Sequence, residues 1–154
     1  FTGLGKGWKV AGDVKTAGAA LPIILMGDKK FCDQNPEIVA KFLRMYMRGI
    51  NLIKKEGLKL LPEYKRFYKE WAGMDLKDDM LKNDFEWHPV FTYQEQLKLF
   101  KKPAKGDSTV ESWQRTITEV FTTLGRFKPE ERDKALKTPY ITDKFLKMVK
   151  QPIP

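Results

Sequence analysis

The chain has 154 residues, 42% of them hydrophobic and 12% aromatic, and a formal net charge of +9. This composition suits one folded domain with a real core and excludes a wholly disordered segment. No apolar run approaches the ~20 residues of a membrane-spanning helix, and the longest, "LPIILM" at 21–26, is strand-sized and contains Pro22.

No signal peptide is read at the start, and a chain opening on Phe1 is expected to be cut or processed from a longer one. The positive charge points to acidic partners, nucleic acid or an anionic surface. Its distribution argues against nucleic acid. In "KKEGLKLLPEYKRFYKE" the basic residues alternate with Glu56, Glu63 and Glu70, the pattern of a solvated face, and no helix-turn-helix, zinc-finger or RNP pattern accompanies the charge.

Residues 1–34 are rich in glycine and extended segments. "GLGKG" fits neither the P-loop nor the dinucleotide fingerprint and reads as a turn. "GWKVAGDV" and "LPIILMGDKKF" read as strands separated by the small-residue loop "KTAGAA". Two strands do not make a stable sheet alone, so the buried strand at 21–26 is expected to find partners elsewhere. An unpaired edge there predicts dimerisation, domain swapping or aggregation.

Residues 35–154 read as almost wholly helical. Asn35 is a suitable N-cap, Pro36 suits the first helical position, and Glu37 complements the helix dipole. Val39, Leu43, Tyr46, Ile50 and Ile53 then form one apolar stripe, and Gly57 closes the helix. A second helix carries Leu61, Tyr64, Tyr68 and Trp71 and stops at Gly73. Asp75 is placed to cap a short third one ending near Leu81. "NDFEWHPVF" is expected to be extended because of Pro89. Thr92 with Glu95, and Ser108 with Glu111, make two capping boxes. The second opens a helix bearing Trp113, Ile117, Val120 and Leu124 and ending at Gly125. Pro129 starts another, and "YITDKFLKMVK" ends the chain in a short helix. Phe42, Tyr46, Ile50, Trp113, Ile117 and Leu124 are the expected core.

A lone cysteine, Cys32, excludes an internal disulfide framework. With the lone histidine, His88, it could form a nucleophile–base pair, but a half-buried Cys32 at the joint before the long helix is the preferred reading. One Cys and one His do not complete a zinc shell, so no metal and no cofactor are expected.

The order of these elements resembles the C-terminal half of the solute-binding proteins of ABC importers, in the subgroup that handles nitrate, taurine, sulfonates and thiamine precursors. The residues that carry the likeness are "LPIILMGDKKFCDQNPEIVAKFLRMYMRGINLIKK", "YKEWAGMD", "HPVFTYQEQLKLF", "WQRTITEVFTTLGRF" and "YITDKFLKMV". Met45, Tyr46 and Met47 depart from the small residues common in that long helix. The resemblance implies an α/β fold dominated by helices, part of one lobe of a two-lobed protein, with a few strands and about six helices. Residues 1–34 would hold the crossing segment and strands.

The implied function is capture of a small anion, sulfonate or heterocycle in a cleft between lobes, and its delivery to the membrane permease, with no catalysis. The implied location is periplasmic or otherwise extracytoplasmic, with a lipid anchor on the parent protein as one form of it. Thr16 and Gly18, in the loop before the Pro-led strand, and Trp87 and His88, in "FEWHP", are the candidate ligand contacts. The alternative function is a helical protein- or nucleic-acid-interaction module.

Overall fold

The computed structural model describes residues 6–9, 23–88, 90–137 and 140–153. Among these residues eight α-helices follow one another: α1 (Lys29–Gln34), α2 (Pro36–Glu56), α3 (Leu61–Trp71), α4 (Asp78–Trp87), α5 (Tyr93–Phe100), α6 (Thr109–Thr123), α7 (Pro129–Lys137) and α8 (Lys144–Lys147). A 3-10 turn at Gly57–Leu60 joins α2 to α3.

There is no strand among the described residues, so the expected α/β class is corrected to helical. Residues 23–28 belong to no helix or strand, and Ile23 and Met26, expected in a buried strand, are 84% and 88% exposed. The physical reason is that an apolar run becomes a strand only where a neighbour takes its backbone N–H and C=O groups. Trp8 and Lys9 are likewise not in a strand, and residues 10–22 lie outside the described residues. The end of "LPIILMGDKKF", read above as strand, instead enters α1, capped by Asp28, whose carboxylate accepts from the Phe31 N–H at 2.7 Å.

Local helix signals act largely as read. Pro36 and Glu37 open the 21-residue α2. Asn35 does not cap α2 with its side chain; its amide donates to the Phe31 carbonyl at 3.0 Å, closing α1 instead. At the far end Gly57 has φ of 54°, a conformation that glycine adopts without a Cβ clash. Both capping boxes form, with Thr92 N–H donating to Glu95 Oε2 at 2.7 Å and Ser108 N–H donating to Glu111 Oε2 at 2.8 Å.

The core is small and lies elsewhere on the helices than expected. Ala40, Met47, Ile50, Leu81, Leu146 and Val149 form it. Of the expected residues Ile50 is buried, Trp113 and Ile117 are half-buried, and Phe42, Tyr46 and Leu124 are exposed. The apolar arc of α2 is wider than the surface its neighbours cover. The Met47–Ile50 side turns inward, while the Phe42 side turns outward.

The C-terminal segment lies over α2: the Arg44 guanidinium donates to the carbonyls of Lys150 and Pro152 at 3.1 and 3.0 Å, and the Asn51 amide reaches that of Ile153 at 3.3 Å. Gln96 of α5 donates to Met47 Sδ at 3.6 Å, and Lys54 pairs with Glu95 at 3.3 Å, so α5 also packs on α2. Phe91 and Trp113, with centroids 6.3 Å apart, join the start of α5 to α6. Arg132 binds Glu119 to hold α7 on α6, and Gln114 donates to the Ala135 carbonyl at 3.1 Å.

Candidate functional site

The expected extended segment "NDFEW" is helical, and α4 runs on to Trp87. What keeps it helical is a buried carboxylate. Asp84 is 4% exposed, on the face of α4 that meets α3. Tyr64 and Tyr68 sit one helical turn apart on α3 and point the same way. Both hydroxyls donate to Asp84 Oδ2, that of Tyr68 at 3.0 Å. The rings meet edge to face at 5.1 Å, and Phe85 adds a second edge contact to Tyr64 at 6.1 Å. Lys65 and Asp78, 2.7 Å apart, tie the same two helices at the rim.

His88 follows Asp84 by one turn. Its Nδ1 lies 2.8 Å from the Asp84 carbonyl oxygen and 3.2 Å from the carboxylate Oδ1. The imidazole is thereby oriented, with its side chain about half exposed. Trp87 beside it is also exposed. Burial first, then the hydrogen bonds to Asp84 and Tyr68, push the Tyr64 hydroxyl well above the usual phenol range, so it stays a neutral donor.

The structure therefore places Trp87 and His88 together at the exposed end of α4, on a rigid base. Thr16 and Gly18 lie outside the described residues. Cys32 is half-buried in α1, while His88 Nδ1 faces Asp84, which leaves the nucleophile–base pairing without support. No cluster among the described residues has the make-up of a metal site. Tyr64, Tyr68 and Asp84 were missed from sequence. The four-residue spacing of the tyrosines was visible, but the helix pairing that aims both at one carboxylate was not.

A second concave region lies between α5, α6 and the approach to α8. It is an open groove of about 630 Å³, with Leu97, Phe100, Val110 and Ile141 on its walls and Lys101, Lys102 and Lys147 among its lining residues. Lys102 pairs with Glu111 at 2.8 Å and Lys147 with Asp143 at 2.7 Å, so most of that positive charge is already compensated. A smaller polar pocket of about 220 Å³ adjoins it, where Arg115 grips Asp107 at 2.8 Å.

Glu111 anchors this region. Its carboxyl is held down at about 2 by the Lys102 ammonium and by the backbone and side-chain hydrogen bonds of Ser108. A carboxyl whose folded value lies below its unfolded value of 4.5 supports folding above pH 4.5 and loses that support as pH falls toward 2. Ser108→Ala is expected to lower stability by about 1 kcal/mol. Glu111→Gln should flatten the acid side of the stability profile in that window. Denaturant unfolding at neutral and acid pH checks both; equal acid sensitivity in Glu111→Gln and the parent would refute the assignment.

No protein-family model, no curated protein and no solved structure matches the chain.

Proposed function

We propose that this chain belongs to the solute-binding component of an ABC importer, which captures a small anion or small organic solute and hands it to the membrane permease. The observation that carries the reading is the order of elements along the segments bearing the resemblance. "NPEIVAKFLRMYMRGINLIKK" is one long amphipathic helix, and "YKEW" is a helix end closed at Gly73. "YQEQLKLF" is a boxed helix after an extended Thr92. "TVESWQRTITEVFTT" is a helix that closes at Gly125. The proposal concerns this helical part and requires no sheet within it.

In this reading Trp87 and His88 form one wall of a ligand cleft. The indole offers an apolar face and the imidazole a polar edge, held in place by Asp84. Thr16 and Gly18, which lie outside the described residues, are the further ligand contacts of this reading, through a hydroxyl and backbone N–H groups. The protein makes and breaks no covalent bond, and it works outside the cytoplasm.

Calorimetry of the intact protein against nitrate, taurine, aliphatic sulfonates and pyrimidine precursors tests it. Saturable binding that weakens at least tenfold in Trp87→Ala or His88→Ala is expected. No heat across that panel, together with turnover of any substrate, would sink the transport reading.

A second reading, a helical interaction module, draws on the exposed apolar side chains of α2 and on the +9 charge. Tight duplex-DNA binding that falls steeply with salt would favour it.

A further inference from the structure

The outward side of α2 carries Ile38, Phe42, Met45, Gly49 and Leu52, at alternating steps of four and three. This spacing keeps them in one line along the helix. The four side chains are 48–62% exposed, and a Cβ built on Gly49 meets nothing within 4 Å. The stripe runs about 21 Å along the axis at 1.5 Å per residue. It is distinct from the inward side of α2, where Met47 and Ile50 are buried.

We propose that this stripe is a self-association surface, on which two copies of the chain pair through antiparallel α2 helices about a two-fold axis at Met45. The stripe is nearly symmetric about that residue. Ile38 and Leu52 are equidistant from it, so each meets the other across the axis. Phe42 and Gly49 also fall opposite one another. The largest side chain of the stripe therefore faces the position with none, and the open space over the partner subunit's Gly49 receives the ring. Met45 meets its own copy, as an isologous contact requires.

The flanking charges balance one another in this register. Glu37 comes beside Lys55 of the partner subunit, a favourable pair. Lys41 comes beside the partner's Arg48, an unfavourable one. Arg44 is occupied with the carbonyls of Lys150 and Pro152 and stays out of the contact. Because each copy also carries +9, added salt should tighten the pairing by screening repulsion. The surface is independent of the transport reading.

Sedimentation equilibrium of the 154-residue chain over a wide concentration range, at low and moderate salt, reads the association. A monomer–dimer equilibrium is expected. Phe42→Ala and Gly49→Gln should each weaken it at least tenfold, while Trp71→Ala, an exposed apolar site on α3, should leave it unchanged. Gly49→Gln replaces a mid-helix glycine with a good helix former in open space, so it should raise the thermal stability of the monomer while it blocks the dimer. In a Cys32→Ser background, Met45→Cys should cross-link to its own copy on mild oxidation and Ile38→Cys should not. A monomer at all concentrations, a dimer indifferent to Gly49→Gln, or equal cross-linking at both positions overturns the proposal.

Discussion

Leu81→Ala should lower the unfolding free energy by about 2–5 kcal/mol. Leu81 is 0% exposed and shares with Met47 the position of largest fully enclosed side chain. It lies on α4 one turn before Asp84, on the side that packs against α3. Truncation removes the transfer energy of the lost methyl and methylene groups and leaves a cavity that two linked helices cannot fully close. The cavity adds about 24 cal/mol for each Å³ that persists. For a domain whose whole stability is on the order of 5–15 kcal/mol, this is a large share. Met26→Ala is the contrast, since that side chain is 88% exposed and its loss should stay within about ±0.5 kcal/mol. Urea unfolding of both variants measures the difference. A Leu81→Ala effect no larger than that of Met26→Ala would mean that α4 does not pack on α3 as described.

Asp84→Ala should cost about 2–3 kcal/mol, because two tyrosine hydroxyls lose a charged acceptor in a half-buried setting. The cost lies less in the lost attraction than in the donors left behind. The double variant Asp84→Ala/Tyr64→Phe should therefore be less unstable than the two single effects added together. Asp84→Asn, which keeps one carbonyl acceptor, should fall between the parent and Asp84→Ala.

The same network gives an alkaline signature. Tyr64 ionises well above the phenol range when folded, whereas an unfolded tyrosine ionises near pH ~10. A group whose folded value is raised stabilises the fold below its unfolded value, and that support is lost as pH rises beyond it. Stability should therefore decline above about pH 10, and Tyr64→Phe should remove that part of the decline. A phenol titration showing every tyrosine ionising at the ordinary value would contradict the network.

Helix ends were legible in the sequence because they are decided within about four residues. Ser108 with Glu111 and Thr92 with Glu95 satisfy the first N–H groups of a helix with groups that are already neighbours in the chain, and Pro36 at the start of α2 has no N–H to satisfy. Gly57 and Gly125 end helices through their own backbone freedom. The candidate positions Trp87 and His88 were visible as an aromatic and imidazole pair, but the group that orients His88 was not. Asp84 is one acidic residue among many until α3 brings Tyr64 and Tyr68 over it, and the same contact turns "NDFEW" from an expected extended segment into helix.

Tertiary structure likewise decided which side of α2 is inside. Its apolar residues span a wide arc, and only the neighbours — α5 and the C-terminal segment — select Met47 and Ile50 over Phe42 and Tyr46. The apolar run ending at Met26 was the largest departure. Its composition suits a strand, but composition supplies no hydrogen-bonding neighbour, and without one residues 23–26 are unpaired and exposed. Caps and turns are properties of a few adjacent residues. Burial, strand pairing and the aim of a carboxylate are properties of what lies across the gap.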